Sequence, residues 1–331
     1  MLAQTRSLWS EANGCSFFIT GGTGFFGMWL LESFTRINDE LGLGMHATVL
    51  TRNATAFAAK APHLSSRPDL CFVEGDIRSF AYPEQRFEYL IHAATEASAR
   101  LNEDAPQEML DVIVGGTRHL LGLAGKCSVK KLLLVSSGAV YGRQPPEITH
   151  VSEDYLGAPD PLLPGSAYGE GKRVSEHMCS VHAQRNNYEL KVARCFAFVG
   201  PHLPLDAHFA IGNFIRDALA GHEIRVTGAG SPMRSYLYAS DLAVWLWTLL
   251  FGGASLSAYN VGSPESVSIR SLAATVSSIL MGSDMVTEIY DCSDKTRYTP
   301  DVRKAALDLN LKPNVSLKDA IIKTANWYSN A

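Results

Sequence analysis

Tyr168 and Lys172 stand four residues apart in SAYGEGK, a spacing that puts both on one face of a helix. A lysine ammonium beside a phenol favours the phenolate, and a tyrosine tuned in this way exchanges a proton with a substrate hydroxyl or carbonyl near neutral pH. A Tyr-x-x-x-Lys pair alone is common by chance, so its company matters. Upstream, KLLLVSSGAVYG delivers Ser136 and Ser137 to the end of an apolar run, where a hydroxyl can share the reacting oxygen with the tyrosine. The histidines form no HExxH pattern. His177 and His182, five apart, read as helix-surface or packing residues, and no metal is expected.

A second constellation is CSFFITGGTGFFG. The apolar strand SFFIT runs into Gly21, Gly24 and Gly27, and MWLLESF continues with helical spacing, so the glycines occupy a strand-to-helix turn. There Gly21 permits the tight turn, Gly24 lets the backbone approach a pyrophosphate, and Gly27 allows close packing of helix on strand. The free N–H groups and dipole of the helix N-terminus hold the phosphates. The next strand, HATVL, ends in Thr51-Arg52-Asn53, where an NAD site places a ribose-binding acid. None stands there, and an arginine pairs well with a 2′-phosphate, so NADP is favoured and NAD is the alternative. Asp76 and Ile77 in FVEGDI follow the third strand, placed to flank the adenine.

Such residues need a scaffold. SFFIT, MHATVLT, LCFVEGD, YLIHAA, KLLLVSS and LKVARCFAFV are short apolar runs separated by amphipathic segments, the pattern of a parallel sheet with right-handed helical crossovers. The expected fold is α/β: a Rossmann-type doubly wound parallel sheet over residues 15–200 that binds NAD(P), with a smaller C-terminal α/β substrate lobe over 201–331. A return of some later segments to the first unit is part of this expectation. Residues 1–14 receive no assignment, and Trp245 and Trp247 in AVWLWTLLF read as core packing.

Composition agrees with a globular small-molecule enzyme. At 331 residues and 46% hydrophobic, the chain can bury a large core. The net charge of −4 comes from interspersed signs, with no basic run longer than Lys130-Lys131, so nucleic acid and anionic membranes are poor partners. Cys15, Cys71, Cys127, Cys179, Cys195 and Cys292 include no CxxC pair, which speaks against a disulfide framework and for a reducing compartment. No apolar stretch approaches the roughly 18 residues of a membrane span, and the N-terminus lacks a signal pattern; a cytoplasmic protein is expected.

In this order, the glycine turn, the serine and the Tyr/Lys pair make the sequence resemble the extended short-chain dehydrogenases/reductases, specifically their nucleotide-sugar epimerase/dehydratase branch. The resemblance spans about residues 15–328. It rests on GGTGFFG, FVEGDI, HAA, SSGAVYG and YGEGK, and in the second lobe on GNFI, GAGSPMRSYLYASDLA, YNVGS and TPDVRKA. It implies that Ser137, four residues before the tyrosine of VYG, is catalytic together with Tyr168 and Lys172. It adds Phe25, Phe26, Ala93, Tyr168 and Lys172 to Gly21, Gly24, Gly27, Arg52, Asp76 and Ile77 in the cofactor site. Ser137, Asn213 of GNFI, Arg234 of PMRSY and Arg297 before TPD are implied contacts of a nucleotide-sugar substrate. A homodimer through the helices QEMLDVIVGGTRHLLGLA and YGEGKRVSEHMCSVHAQ is implied as well.

Departures from the pattern select the reaction. Sugar 4,6-dehydratases resembling this sequence carry Asp-Glu directly after the catalytic hydroxyl residue, and the decarboxylases of the branch keep a glutamate at the second place. Here those places are Gly138 and Ala139, which argues against both chemistries. Familiar 4-epimerases keep an acid at the end of the second strand, where this chain has Thr51-Arg52. The asparagine usual after the RxF segment is also replaced, by Ala197. The expectation is NADPH-dependent reduction of a nucleotide-linked 4-keto-6-deoxy sugar at C4, in nucleotide-sugar biosynthesis. The alternative is a nucleotide-sugar 4-epimerase, and behind it a non-catalytic nucleotide-binding protein, since fold alone does not establish function.

Overall fold

The computed structural model describes residues 2–95, 99–207, 209–227, 230–282, 285–289 and 296–330; Cys292 lies outside them. The six apolar runs form six strands: Ser16–Thr20 (β1), His46–Thr51 (β2), Leu70–Glu74 (β3), Tyr89–His92 (β4), Lys131–Ser137 (β5) and Glu189–Cys195 (β6). They are rich in β-branched and aromatic residues, and β4 and β5 are buried along their whole length, as a sheet covered by helices on both faces requires. A seventh strand, Ser257–Val261 (β7), lies beyond residue 200 and pairs with β6. The order is β7-β6-β5-β4-β1-β2-β3, and every pairing is parallel.

Chain order reverses between β1 and β4. Ligands of doubly wound sheets bind at such a switch point, beyond the carboxyl ends of the strands. The glycine turn after β1 and Ala93 after β4 flank this crevice. Phe25–Leu41 (α1) leaves it on one side. Gly116–Ala124 (α2) and Ala167–Asn186 (α3) cover the sheet beside β4, β5 and β6, and α3 carries Tyr168 and Lys172.

Ala239–Gly252 (α4) is apolar all round because it is enclosed all round, between α1 and the sheet. Trp245 and Trp247 are fully buried in it, and Trp247 Nε1 donates to Ser33 Oγ at 2.8 Å. The N-terminal residues belong to this core too. Arg6–Ala12 is a 3₁₀ segment that seats Trp9, with no exposed surface, 4.7 Å from Trp247 and 4.9 Å from Phe251 between ring centroids.

The second lobe gathers helices Ala210–Leu219, Ile269–Met281 and Leu317–Ser329 around Val199, Ile211, Ile215, Leu272 and Ile321. At its inner edge Ser266–Ser268, Met233–Ser235 and Arg297–Tyr298 form a small three-stranded sheet. Among the described residues, no helix is long and apolar enough to cross a membrane.

Candidate active site

Each glycine of the turn has a distinct physical reason. Gly21 has φ of +72°, a left-handed conformation, and a Cβ there would lie 2.5 Å from the carbonyl carbon and oxygen of Ala93. Gly24 is the N-cap of α1 and has no side chain to satisfy the first-turn amides. Among the described residues a Cβ at Gly24 would meet only Gly21 O, at 3.5 Å. A Cβ at Gly27 would fall 2.2 Å from the Gly22 backbone, which presses α1 onto the turn. The cradle fits a dinucleotide pyrophosphate: open backbone, unsatisfied amides and the positive end of α1 converge. Gly27→Ala is expected to lower stability by about 1–3 kcal/mol through overpacking, read from the urea midpoint; an unchanged midpoint would show that α1 can simply move aside.

Phe25 and Phe26 turn their side chains into the core, Phe26 edge-on to Phe198 at 4.9 Å, which leaves their backbone amides for a ligand. Arg52 is exposed just past β2, while Asn53 caps the following helix by accepting from Ala56 N at 2.7 Å. Asp76 does not stand free. Arg78 Nε and Nη2 hold its two oxygens at 2.8 and 2.7 Å. These bonds foremost, with the Arg52 charge adding, bring its carboxyl down to about 2. Ile77 is buried against Gly116 of α2, where a Cβ would meet it at 2.9 Å.

Strand alternation sends the two serines of β5 to different partners. Ser136 Oγ donates to Glu176 on α3 at 2.5 Å, while Ser137 Oγ accepts the Ala139 amide at 3.2 Å and lies 3.3 Å from the Tyr298 hydroxyl. Lys172 Nζ donates to Thr95 Oγ1 at 2.7 Å and to Val135 O at 2.8 Å, and sits 5.9 Å from the Tyr168 ring centroid. So Ser137, Tyr168 and Lys172 come together. The expected acidified phenol does not appear, however. Burial pushes the Tyr168 phenol up to about 12, opposed by its hydrogen bond with Ser137, and burial pulls Lys172 down to about 8. Desolvation disfavours both charged forms, so Tyr168 rests as a neutral proton donor.

Tyr298 is the residue the sequence reading missed. It was passed over beside Arg297, yet its ring packs on Phe196 at 4.6 Å and its hydroxyl reaches both Ser137 and Cys195 O. In the small sheet Tyr298 is opposite Arg234 and Arg297 is opposite Met233. The pleat therefore puts Arg234 on the Tyr298 face and Arg297 on the other. Asn213 lies apart from them on Ala210–Leu219, where Arg216 Nη1 donates to its Oδ1 at 3.4 Å. The only sequence signal for Tyr298 is its place directly before TPDVRKA, a motif already implicated, and nothing local says which way it points. Gly138 is also informative in three dimensions. A Cβ there would lie 2.7–2.9 Å from three atoms of the Phe196 ring, so the place of a carboxylate is filled by an aromatic stack.

Of the two histidines read as packing or surface residues, His177 is exposed, and His182 Nδ1 lies 2.9 Å from Tyr188 OH. Among the described residues no group of three or more His, Cys, Asp or Glu side chains gathers.

Comparison with known proteins bears on this site. A family model described as the NAD dependent epimerase/dehydratase family matches residues 17–262. A UDP-glucuronic acid decarboxylase 1 from Danio rerio is 32% identical over 322 residues, 97% of this chain and 74% of that protein. An epimerase structure from Methanothermobacter thermautotrophicus superposes with a TM-score of 0.84 at 22% identity, covering 99% of this chain and 96% of that one. A dTDP-glucose 4,6-dehydratase from Streptomyces venezuelae, solved with NAD bound, gives 0.82 at 23%, covering 95% and 97%. At those identities the two structures speak for the fold alone.

Proposed function

This chain belongs to the NAD dependent epimerase/dehydratase family, the nucleotide-sugar branch of the extended short-chain dehydrogenases/reductases, and we propose that it is an NADPH-dependent reductase of a nucleotide-linked 4-keto-6-deoxy sugar, acting at C4. The observation that carries this reading is the place after Ser137. Gly138 and Ala139 supply neither acid nor base, and Phe196 fills the space a carboxylate at 138 would need. Eliminating water calls for such an acid and base beside the sugar; reducing a ketone calls for one proton donor and one hydroxyl on the reacting oxygen.

Bound along the glycine turn, the dinucleotide supplies the hydride. Tyr168, neutral and half-buried, holds the proton for the developing alkoxide. Ser137 hydrogen-bonds the same oxygen and stabilises charge where it develops. Lys172, anchored by Thr95 and Val135, holds the nicotinamide ribose. Arg234 offers a guanidinium fork to the diphosphate and Asn213 a further polar contact; Arg297, on the other face of its strand, is the weaker candidate. In this reading residues 15–200 carry the cofactor, 201–331 mainly the sugar nucleotide, and α2 and α3 pair two copies of a cytoplasmic protein.

The test is loss of reduced-nicotinamide absorbance with freshly generated nucleotide 4-keto-6-deoxy sugars. Stoichiometric loss with one sugar names the substrate class. A C4 epimer formed with no net loss would make the protein an epimerase. The decarboxylase relative adds UDP-glucuronic acid to the panel, and release of CO₂ from it would overturn the inference from Ala139. Arg52→Ala separates the cofactors: NADPH affinity is expected to fall about 10- to 100-fold, one charge-assisted hydrogen bond, with NADH within about twofold. Equal loss for both dinucleotides would remove Arg52 from the 2′-phosphate.

A further inference from the structure

Behind the glycine turn runs a buried chain of polar side chains whose hydrogens all find acceptors in one arrangement. Thr117 Oγ1 lies 2.7 Å from Ile113 O, and a carbonyl only accepts, so the Thr117 hydroxyl donates there. Its lone pairs then take the Ser175 hydroxyl at 2.8 Å and His92 Nε2 at 3.1 Å, which puts the imidazole hydrogen on Nε2. His92 Nδ1 is therefore the acceptor for the Thr20 hydroxyl at 2.9 Å. Thr20 Oγ1 accepts in turn from the Ala94 amide at 3.1 Å. Every donor has an acceptor in this arrangement, whereas the opposite tautomer would draw the Thr117 hydrogen from Ile113 O to His92 Nε2 and set the Nδ1 hydrogen against the Thr20 hydroxyl. With Thr20 and Thr117 fully buried, Ser175 at 1% and His92 at 4% exposure, bulk water does not compete. The ring stays neutral, since burial foremost and the nearby Lys172 charge push the imidazolium down to about 3.

Both ends of the chain lie at the crevice. One end fixes the Ala93–Ala94 peptide, the same peptide a Cβ on Gly21 would strike at 2.5 Å. The other end is Ser175, three residues after Lys172 on α3, and Lys172 reaches back to Thr95 on the turn that Ala94 begins. A single rigid ring with a donor on one edge and an acceptor on the other joins β1 and β4 to the helices that cover them.

We propose that His92 is a positioning residue: its neutral imidazole sets the separation between the Ala93–Thr95 turn and α3, and so holds the floor of the dinucleotide crevice beside Gly21 and Lys172. This rests on the cofactor reading above and deepens it.

Nitrogen-15 NMR of histidine-labelled full-length protein tests the chain without any substrate. The His92 resonances, assigned by their absence in His92→Gln, are expected to show a neutral ring protonated on Nε2 at pH 7. A hydrogen on Nδ1, or an imidazolium, would overturn the proposal. Titration of intrinsic fluorescence with NADPH and NADH tests the positioning. His92→Leu is expected to weaken binding about tenfold, as loss of one buried hydrogen-bonded link would, and His92→Gln, which keeps a donor and an acceptor, to recover it to within about threefold. Unchanged affinity in a folded His92→Leu protein overturns the positioning role. Should that variant fail to fold, Thr117→Val keeps the side-chain shape and removes only the hydroxyl that links Ile113 O, Ser175 and His92, and an affinity equal to wild type there is equally decisive. If the wild-type protein binds neither dinucleotide, the cofactor reading fails, while the proton position on His92 still decides the chain.

Discussion

Tyr168→Phe is expected to lower turnover by about 10²- to 10⁴-fold, the range contributed by a positioned proton donor, with dinucleotide affinity within about twofold of wild type. The substitution removes one oxygen and leaves the site built. Lys172 keeps Thr95 Oγ1 and Val135 O, and Ser137 keeps the Ala139 amide and Tyr298. What disappears is the neutral phenol whose proton the alkoxide must take. Turnover is measured by NADPH oxidation with the sugar that the wild-type protein reduces. Near-normal turnover would move the proton to the other half-buried phenol at Ser137, Tyr298, and Tyr298→Phe would then show the loss instead.

Glu176→Ala should destabilise the protein by about 3–5 kcal/mol, the cost of leaving a buried cation without its partner. Arg194 meets the Glu176 carboxylate twice, Nε to Oε1 at 3.1 Å and Nη2 to Oε2 at 2.8 Å, and the side chains are only 18% and 15% exposed. Ser136 donates to the same carboxylate, and Arg194 lies over the Tyr141 ring at 4.9 Å while donating to its hydroxyl. The acid therefore ties α3 to β5 and β6, one turn beyond Lys172. Urea unfolding should show the midpoint falling at unchanged slope. A shift no larger than that of Arg303→Ala, which breaks an ion pair whose arginine is 83% exposed, would mean that water reaches Arg194 and replaces the carboxylate.

Much of this was legible in the chain because it is local. The strand runs, the glycine turn and the Tyr168/Lys172 spacing each lie within a few residues, and period and turn chemistry act at that range. Residues 1–14 and β7 were less so. Trp9 has no partner nearby in sequence, and its aromatic neighbours Trp247 and Phe251 are some 240 positions away. Nor does anything in the short apolar run 257–261 say that it will pair with β6, far before it in the chain.

Consecutive residues carried the family and the doubly wound sheet and singled out Ser137, Tyr168 and Lys172 as candidates, because glycine spacing, helical period and strand ends are local features. Only the tertiary structure decided the state and company of those groups. Burial, which depends on what packs from elsewhere, raises the Tyr168 phenol where a neighbouring lysine alone would lower it. Register across the small sheet chose Tyr298 and Arg234 over Arg297 for the inner face, and Phe196, brought from the end of β6, filled the place of the missing carboxylate. Dielectric environment and strand register are properties of contacts between distant segments, and those contacts exist only once the chain has folded.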